Sequence, residues 1–172
     1  RELELIYQWL PEAAIDIFIN EYVESGNYDA GWAAIRADSR YEQWFPGNRT
    51  EDGRVRYSEE EYDRIIAAYD DTLVGVGLNP ALFKEKYGEL IRGEVSPYEF
   101  ESERINPIYE RIVSATDSIQ QYYARMYDLN DLTTTSLMAA AIDPEIGDKV
   151  LAGDITSAEL GGEALESGYN LT

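Results

Sequence analysis

The sequence predicts an all-α fold, a compact bundle of eight or nine short helices, on three observations. Apolar residues recur at i, i+3 and i+4 along most of the chain, the spacing of one helical face. Helix starts are written repeatedly as a capping residue followed by Pro, by Glu three positions on, or by both: Ser58-x-x-Glu61, Asn79-Pro80, Ser96-Pro97-x-Glu99 and Asp143-Pro144. The third observation is an internal echo, because the helix-turn-helix grammar of Leu90 to Phe100 returns about sixty residues later in Val150 to Leu160. In the first copy Gly93 reads as the helix terminator, Ser96 as the next cap, and Pro97 as the first helical residue, where its missing amide is harmless.

Taken in order, Leu3, Ile6, Tyr7 and Leu10 suggest that residues 1–10 are the tail of a preceding helix, and Pro11 resets the chain. From Glu12 to Glu24 the set Ala14, Ile15, Phe18, Ile19, Tyr22 and Val23 defines a helix that Ser25-Gly26 closes. Asp29 is the expected cap of the next helix, which carries Trp32, Ala33 and Ile35. A short turn from Ser39 then brings Tyr41, Trp44 and Phe45 to the helix-stopping Pro46-Gly47. The polar connection 48–57 centres on Asp52-Gly53, a tight turn with short extended arms. After Ser58 a long stripe, Tyr62, Ile65, Ile66, Tyr69, Leu73 and Val76, closes at Gly75 or Gly77. Asn79-Pro80 starts a helix running Ala81 to Ile91, and beyond Ser96 Pro107 predicts a kink or a break after Ile105. Helices at Ile119 to Tyr127 and Leu132 to Ile142 follow. Another starts at Asp143-Pro144 and ends at Gly153, and a last one covers Ser157 to Glu166. The 172 residues are expected to form one helical domain, with 77–115 and 142–171 as related halves.

Composition excludes most chemistry. Cys is absent, which removes disulfides, thiolate metal sites and a thiol nucleophile; His is absent too, which removes Ser-His triads and imidazole bases. With 34 Asp and Glu against 14 Lys and Arg the formal charge is -20, so direct contact with nucleic acid is not expected. At 44% hydrophobic residues, with 14 Tyr, the chain has ample material for a packed core. No apolar run reaches the roughly 20 residues of a membrane span. The sequence begins at Arg1 without Met, which suggests a segment of a longer polypeptide.

Three sets of residues invite a functional reading. Asn48, Thr50, Asp52, Gly53, Val55 and Glu59 match the oxygen, glycine and apolar positions of a twelve-residue calcium loop, making Asn48, Asp52 and Glu59 the candidate metal ligands. Against this, Asn replaces Asp at the first position, Arg56 stands at the ninth, and Pro46-Gly47 interrupts the entering helix; a plain polar turn accounts for the same residues. Glu59-Glu60-Glu61 and Asp70-Asp71 offer paired carboxylates of the kind a glycoside hydrolase uses, but the first set also fits simple complementarity to a helix start. Trp9, Trp32, Trp44, Tyr122, Tyr123 and Tyr127 suit either a contact surface or core packing. No phosphate-binding loop or dinucleotide fingerprint is present, and no catalytic residue or cofactor is expected.

Tyr41-x-x-Trp44-Phe45-Pro46-Gly47-Asn48-Arg49, Ser58-x-x-x-Tyr62, Gly77-Leu78-Asn79-Pro80-x-Leu82-Phe83, Gly93-Glu94-Val95-Ser96-Pro97, Ile142-Asp143-Pro144 and Gly162-Glu163-Ala164 occur in this order. From about Trp9 to Leu171 this pattern resembles a module of large virion proteins of tailed bacteriophages, structural, internal-virion or tape-measure-like components. The resemblance implies a virion location, a non-enzymatic role, and partners that are other virion proteins or copies of the same chain; it carries over no catalytic residue. The readings from other classes are a carboxylate-based cell-wall hydrolase carried by the particle and a calcium-stabilised adaptor.

Overall fold

The computed structural model describes residues 7–114 and 134–147. The fold is all-α: among the described residues the only β-type pairing is an isolated antiparallel bridge between Arg49 and Val55. That bridge flanks the expected turn, where Gly53 takes φ +85. The chain groups into two compact units, Arg1–Ala67 with Lys84–Val95, and Ala68–Phe83 with Ser96–Thr172. No helix among the described residues is long and apolar enough to cross a membrane.

In the first unit, residues 7–10 form a turn rather than a helix, with the Leu10 N–H bonded to Tyr7 O at 2.9 Å. Helix α1, Glu12–Ser25, ends as expected at Gly26, whose left-handed backbone (φ +65) returns its N–H to Tyr22 O. Helix α2, Tyr28–Ala37, is capped by Asn27 and not by Asp29: the Asn27 side chain accepts from the Asp29 N–H at 2.9 Å, so Asp29 sits in the first turn instead. The two helices close on an aromatic cluster. The Phe18 and Trp32 rings lie 5.2 Å apart, Tyr7 stands edge-on to Trp32 at 5.4 Å, and Gly31 presents bare backbone to the Phe18 ring. Trp32 thus belongs to the core, while Tyr122, Tyr123 and Tyr127 lie outside the described residues.

Helix α3 is the single turn Tyr41–Trp44, and Pro46-Gly47 ends it. Gly47 has φ +79, and a Cβ there would fall 2.1 Å from Gly88 O; a Cβ on Gly88 would in turn fall 2.8 Å from the Pro46 ring. This glycine pair lets the turn rest directly on helix α5, Lys84–Arg92. Helix α4, Glu59–Gly75, contributes its first half to this unit and its second half to the other. Ser58 accepts from the Glu61 N–H at 3.3 Å, the expected cap.

The helix expected over Ala81 to Ile91 is divided. Asn79 caps only a 3-10 turn, Pro80–Leu82, and α5 begins afresh at Lys84, where the chain passes from one unit to the other. At the far end of α5 the left-handed residue is Glu94 (φ +55), not Gly93. The reason is the bonding pattern: the Gly93 N–H still reaches Glu89 O as an ordinary helical amide, while Glu94 N–H bonds to Ile91 O and Val95 N–H to Leu90 O. Glu94 therefore occupies the position that glycine usually fills.

The second unit begins with the rest of α4, which ends at Gly75; the turn beyond it is closed by the left-handed Gly77 (φ +82), with the Leu78 N–H returning to Leu73 O at 2.9 Å. Ser96 then caps helix α6, accepting from Glu99 N–H at 3.1 Å, with Pro97 first in the helix as expected. Pro107 produces no break. Pro97–Glu99 runs into a π-helical stretch, Phe100–Ile105, and on through residues 106–114, because widening the turn accommodates a residue that cannot donate a backbone bond. Tyr69, Leu73, Phe100 and Ile105 are buried here, with Tyr69 and Phe100 rings 4.8 Å apart. Helix α7, Thr134–Ile142, buries Ser136, Leu137, Met138 and Ala139. Asp143 caps the segment 144–147 through the Glu145 N–H at 2.9 Å, and Gly147 lies against Ala140. The second copy of the repeated turn and the helices expected at 119–127 and 157–166 lie outside the described residues.

The glycine contact gives a direct test of the first unit. Gly88→Ala, which keeps an ordinary helical backbone but drives a methyl into Pro46, is expected to lower unfolding free energy by about 2 kcal/mol or more in urea titration. An effect within about 0.5 kcal/mol would show that the turn and α5 are not in contact.

Candidate functional site

The densest polar structure among the described residues is built where α2, α3, the 48–57 connection and the first residue of α4 meet in the first unit. Glu59 is its centre. Although 1% exposed, it is a carboxylate at the start of a helix, and its two oxygens take a bidentate grip from Arg36: Nε to Oε1 at 2.8 Å and Nη2 to Oε2 at 2.6 Å. The Tyr41 hydroxyl also donates to Oε1, at 2.8 Å. Asn48, fully buried, donates from Nδ2 to the Tyr41 oxygen and to Tyr57 O, each at 3.0 Å, and accepts the Tyr57 N–H on Oδ1 at 3.0 Å. Arg49 covers the assembly, its guanidinium 4.7 Å from the Tyr41 ring centre, donating to Arg36 O and to Gly53 O.

Electrostatics fix the protonation of each member. Burial pushes the Glu59 carboxyl up, but the bonds from Arg36, its own backbone amide and Tyr41 outweigh that and hold it below the ordinary glutamate value. Tyr41 moves the other way, raised by burial and by the neighbouring Glu59 charge. At neutral pH the centre is an ionised acceptor facing a protonated phenol, so neither group exchanges a proton. The arrangement is a brace, and its chemistry is charge-assisted hydrogen bonding.

The candidate calcium ligands are thereby accounted for by partners within the protein, Tyr41 being shared by Asn48 and Glu59. Asn48 spends its amide on Tyr41 and Tyr57, and Glu59 is held by Arg36 and Tyr41. Asp52, out on the exposed turn, bonds to the Thr50 hydroxyl and pairs with Arg54 at 2.7 Å. Those bonds also lower the Asp52 carboxyl, Thr50 foremost. The structure brings Asn48 and Glu59 into one network and leaves Asp52 outside it. Among the described residues no group of three or more acidic side chains is arranged to hold a metal ion.

Sequence reasoning did not single out Arg36, read Tyr41 only as a residue of a short apolar turn, and read Glu59 as a calcium-ligand candidate or one of three acids in a first helical turn. A buried acid is indistinguishable by sequence from its exposed neighbours Glu60 and Glu61. A second feature it missed is a cavity of about 390 Å³ beside the turn, lined by Thr50, Arg54, Val55, Arg56, Tyr57 and Glu94. There Arg56 pairs with the left-handed Glu94 at 2.6 Å, while its buried Nε has no hydrogen-bond partner. Comparison with known proteins returns no match: no family model, no curated sequence and no solved structure is significantly similar to this chain.

Two expectations follow from the brace. Arg36→Ala strands a buried carboxylate; since Arg36 itself is 38% exposed and partly screened, the loss is expected to be about 2–3 kcal/mol in urea titration. Arg36→Lys should recover only part of it, because an ammonium cannot bond both oxygens at once. The second concerns pH. A carboxyl lowered on folding contributes stability that is complete above the ordinary value of 4.5 and is lost as pH falls below it. The stability advantage of the native chain over Glu59→Gln should therefore be constant from pH 7 to about 5 and shrink toward pH 3. A difference independent of pH would mean that Glu59 is not the ionised partner of Arg36.

Proposed function

We propose that this chain is a non-enzymatic structural and interaction module of a tailed-bacteriophage virion protein, working through contacts with other virion proteins or copies of itself. The observation that carries the reading is the saturation of Glu59. The most buried acid among the described residues has both oxygens committed to Arg36 and Tyr41 and its pKa lowered, the opposite of what a general acid requires. A residue used this way stabilises shape, and shape is what a module acting by contact has to supply.

One observation favours a carboxylate hydrolase as the second reading. Asp63, one turn after Glu59 on α4, has its carboxyl raised by burial, and two acids pushed apart in pKa are the signature of acid and base partners. The pair is not available to a substrate, however, since Glu59 is sealed beneath Arg36 and Tyr41. Incubating the chain with purified peptidoglycan and following release of reducing sugar separates the readings. No release above the rate of Asp63→Asn is expected. Release that disappears in Asp63→Asn would overturn the structural reading.

A further inference from the structure

The second unit carries an open groove of about 570 Å³ between the last turns of α4 and the first turns of α6, within the ~300–1,000 Å³ of typical ligand pockets. Resting on the reading above and extending it, we propose that this groove docks a segment of a partner protein that presents Lys or Arg side chains. Two carboxylates face it, Asp71 from α4 and Glu101 from α6, both exposed and both without a hydrogen bond or ion pair among the described residues. Two tyrosines flank them: Tyr98 is 72% exposed and Tyr109 36% exposed. Free carboxylates beside open aromatic faces are the combination that holds a guanidinium or ammonium group, by ion pairing and by cation–π contact.

The π-helical stretch creates this face. Glu101 and Asn106 both line the groove, five residues apart, and the Asn106 N–H bonds back to Glu101 O across the widened turn. In an uninterrupted α-helix Ile105 would follow Glu101 on the same face. The extra residue per turn instead sends Ile105 into the core, at 1% exposure, and gives the groove a polar position. Pro107, which denies the helix an ordinary backbone bond, is what makes that register available.

Gly75 keeps the groove open. It ends α4 with an ordinary backbone, and a Cβ on it would meet nothing within 4 Å. Neither conformation nor packing within the fold calls for glycine there, so the space left free belongs to the groove. Charge selects the occupant. In a chain of net charge -20 with two unpaired acids in the groove, an anionic segment is repelled and a cationic one is drawn in. A second copy of the same chain would bring the wrong sign.

The test uses the full chain and a nine-residue peptide of alternating arginine and glycine, with its neutral citrulline counterpart, in calorimetric titration at low salt. Binding of the arginine peptide on the order of 10–100 µM is expected, with none by the citrulline peptide. Asp71→Asn with Glu101→Gln should weaken it about tenfold. The control pair Glu12→Gln with Glu24→Gln, exposed acids of the first unit that change net charge equally, should leave it within about twofold. Gly75→Leu, whose Cβ meets no atom within 4 Å and which adds apolar bulk at the groove lining, should abolish binding while unfolding in urea changes by less than about 0.5 kcal/mol. Equal weakening by both acid pairs, or no arginine-peptide binding, overturns the proposal and leaves the structural reading standing. Self-association by light scattering that Tyr98→Ala dissolves would assign the groove to a second copy and overturn it as well. Peptidoglycan hydrolysis, by contrast, would sink the structural reading whatever the peptide does.

Discussion

The first unit depends on one interaction, the bidentate ion pair between Arg36 and the buried Glu59. Removing a carboxylate from water costs several kcal/mol, and the pair offsets this with the help of a further hydrogen bond to the carboxylate. Tyr41 supplies the third bond, and Asn48 then satisfies Tyr41 and the backbone at Tyr57 together. Four chain segments with no regular pairing between them are thereby held at one point. An apolar cluster of equal volume would bury the same surface, but it would fix neither the rotation of α2 about its axis nor the register of the connection against α4. The bonds are directional, so they do both.

Around that point the fold places segments closer than side chains would allow. Gly47 and Gly88 meet backbone to backbone, and the Glu42 carboxylate accepts the Gly47 N–H at 2.8 Å, so the left-handed turn is satisfied as well as cleared of bulk. Tyr62 closes the same turn from α4, donating to Pro46 O at 3.2 Å. The aromatic residues thus have two uses here: their rings fill the core and their hydroxyls bond to the turns that a helical bundle leaves unpaired.

What could be read from the sequence was local. Caps at Ser58, Asn79, Ser96 and Asp143 are decided by a side chain and an amide two or three residues away, and all four side chains accept that amide, although Asn79 caps a 3-10 turn and not the long helix expected. The misreadings have non-local causes. Gly93 looked like the terminator because glycine adopts the left-handed conformation most readily; α5 does end at Arg92, just before it, but the hydrogen bonds of the last turn give the left-handed position to the next residue, Glu94. Of the kink or break expected at Pro107, the break is absent: a π-turn absorbs the proline, and its buried Phe100 and Ile105 hold it in place. The calcium-like spacing of Asn48 and Glu59 did mark two residues of real consequence. Their oxygens serve Arg36, Tyr41 and Tyr57, partners that lie elsewhere in sequence or were read as unremarkable.

The distribution of charge ties the brace to the surface. Five of the 14 basic residues lie between Arg36 and Arg56, and all five are engaged within the first unit: Arg36 with Glu59, Arg40 with Asp38 and the Trp44 ring, Arg49 with two carbonyls and Tyr41, Arg54 with Asp52, and Arg56 with Glu94. Asp38 shows how firmly such a partner holds, its carboxyl pushed down to about 2 chiefly by the Arg40 side-chain bond. Cations consumed in this way do not neutralise the remaining acids, and the 34 acidic against 14 basic residues leave a formal charge of -20. A net charge of this sign disfavours contact with phosphate and favours cationic protein segments at long range. Short-range complementarity can then be confined to a few places, and the proposed docking face, where Asp71 and Glu101 have no partner among the described residues and lie in one groove with Tyr98 and Tyr109, is such a place. The internal use of arginine and the proposed external preference for it are two consequences of one imbalance.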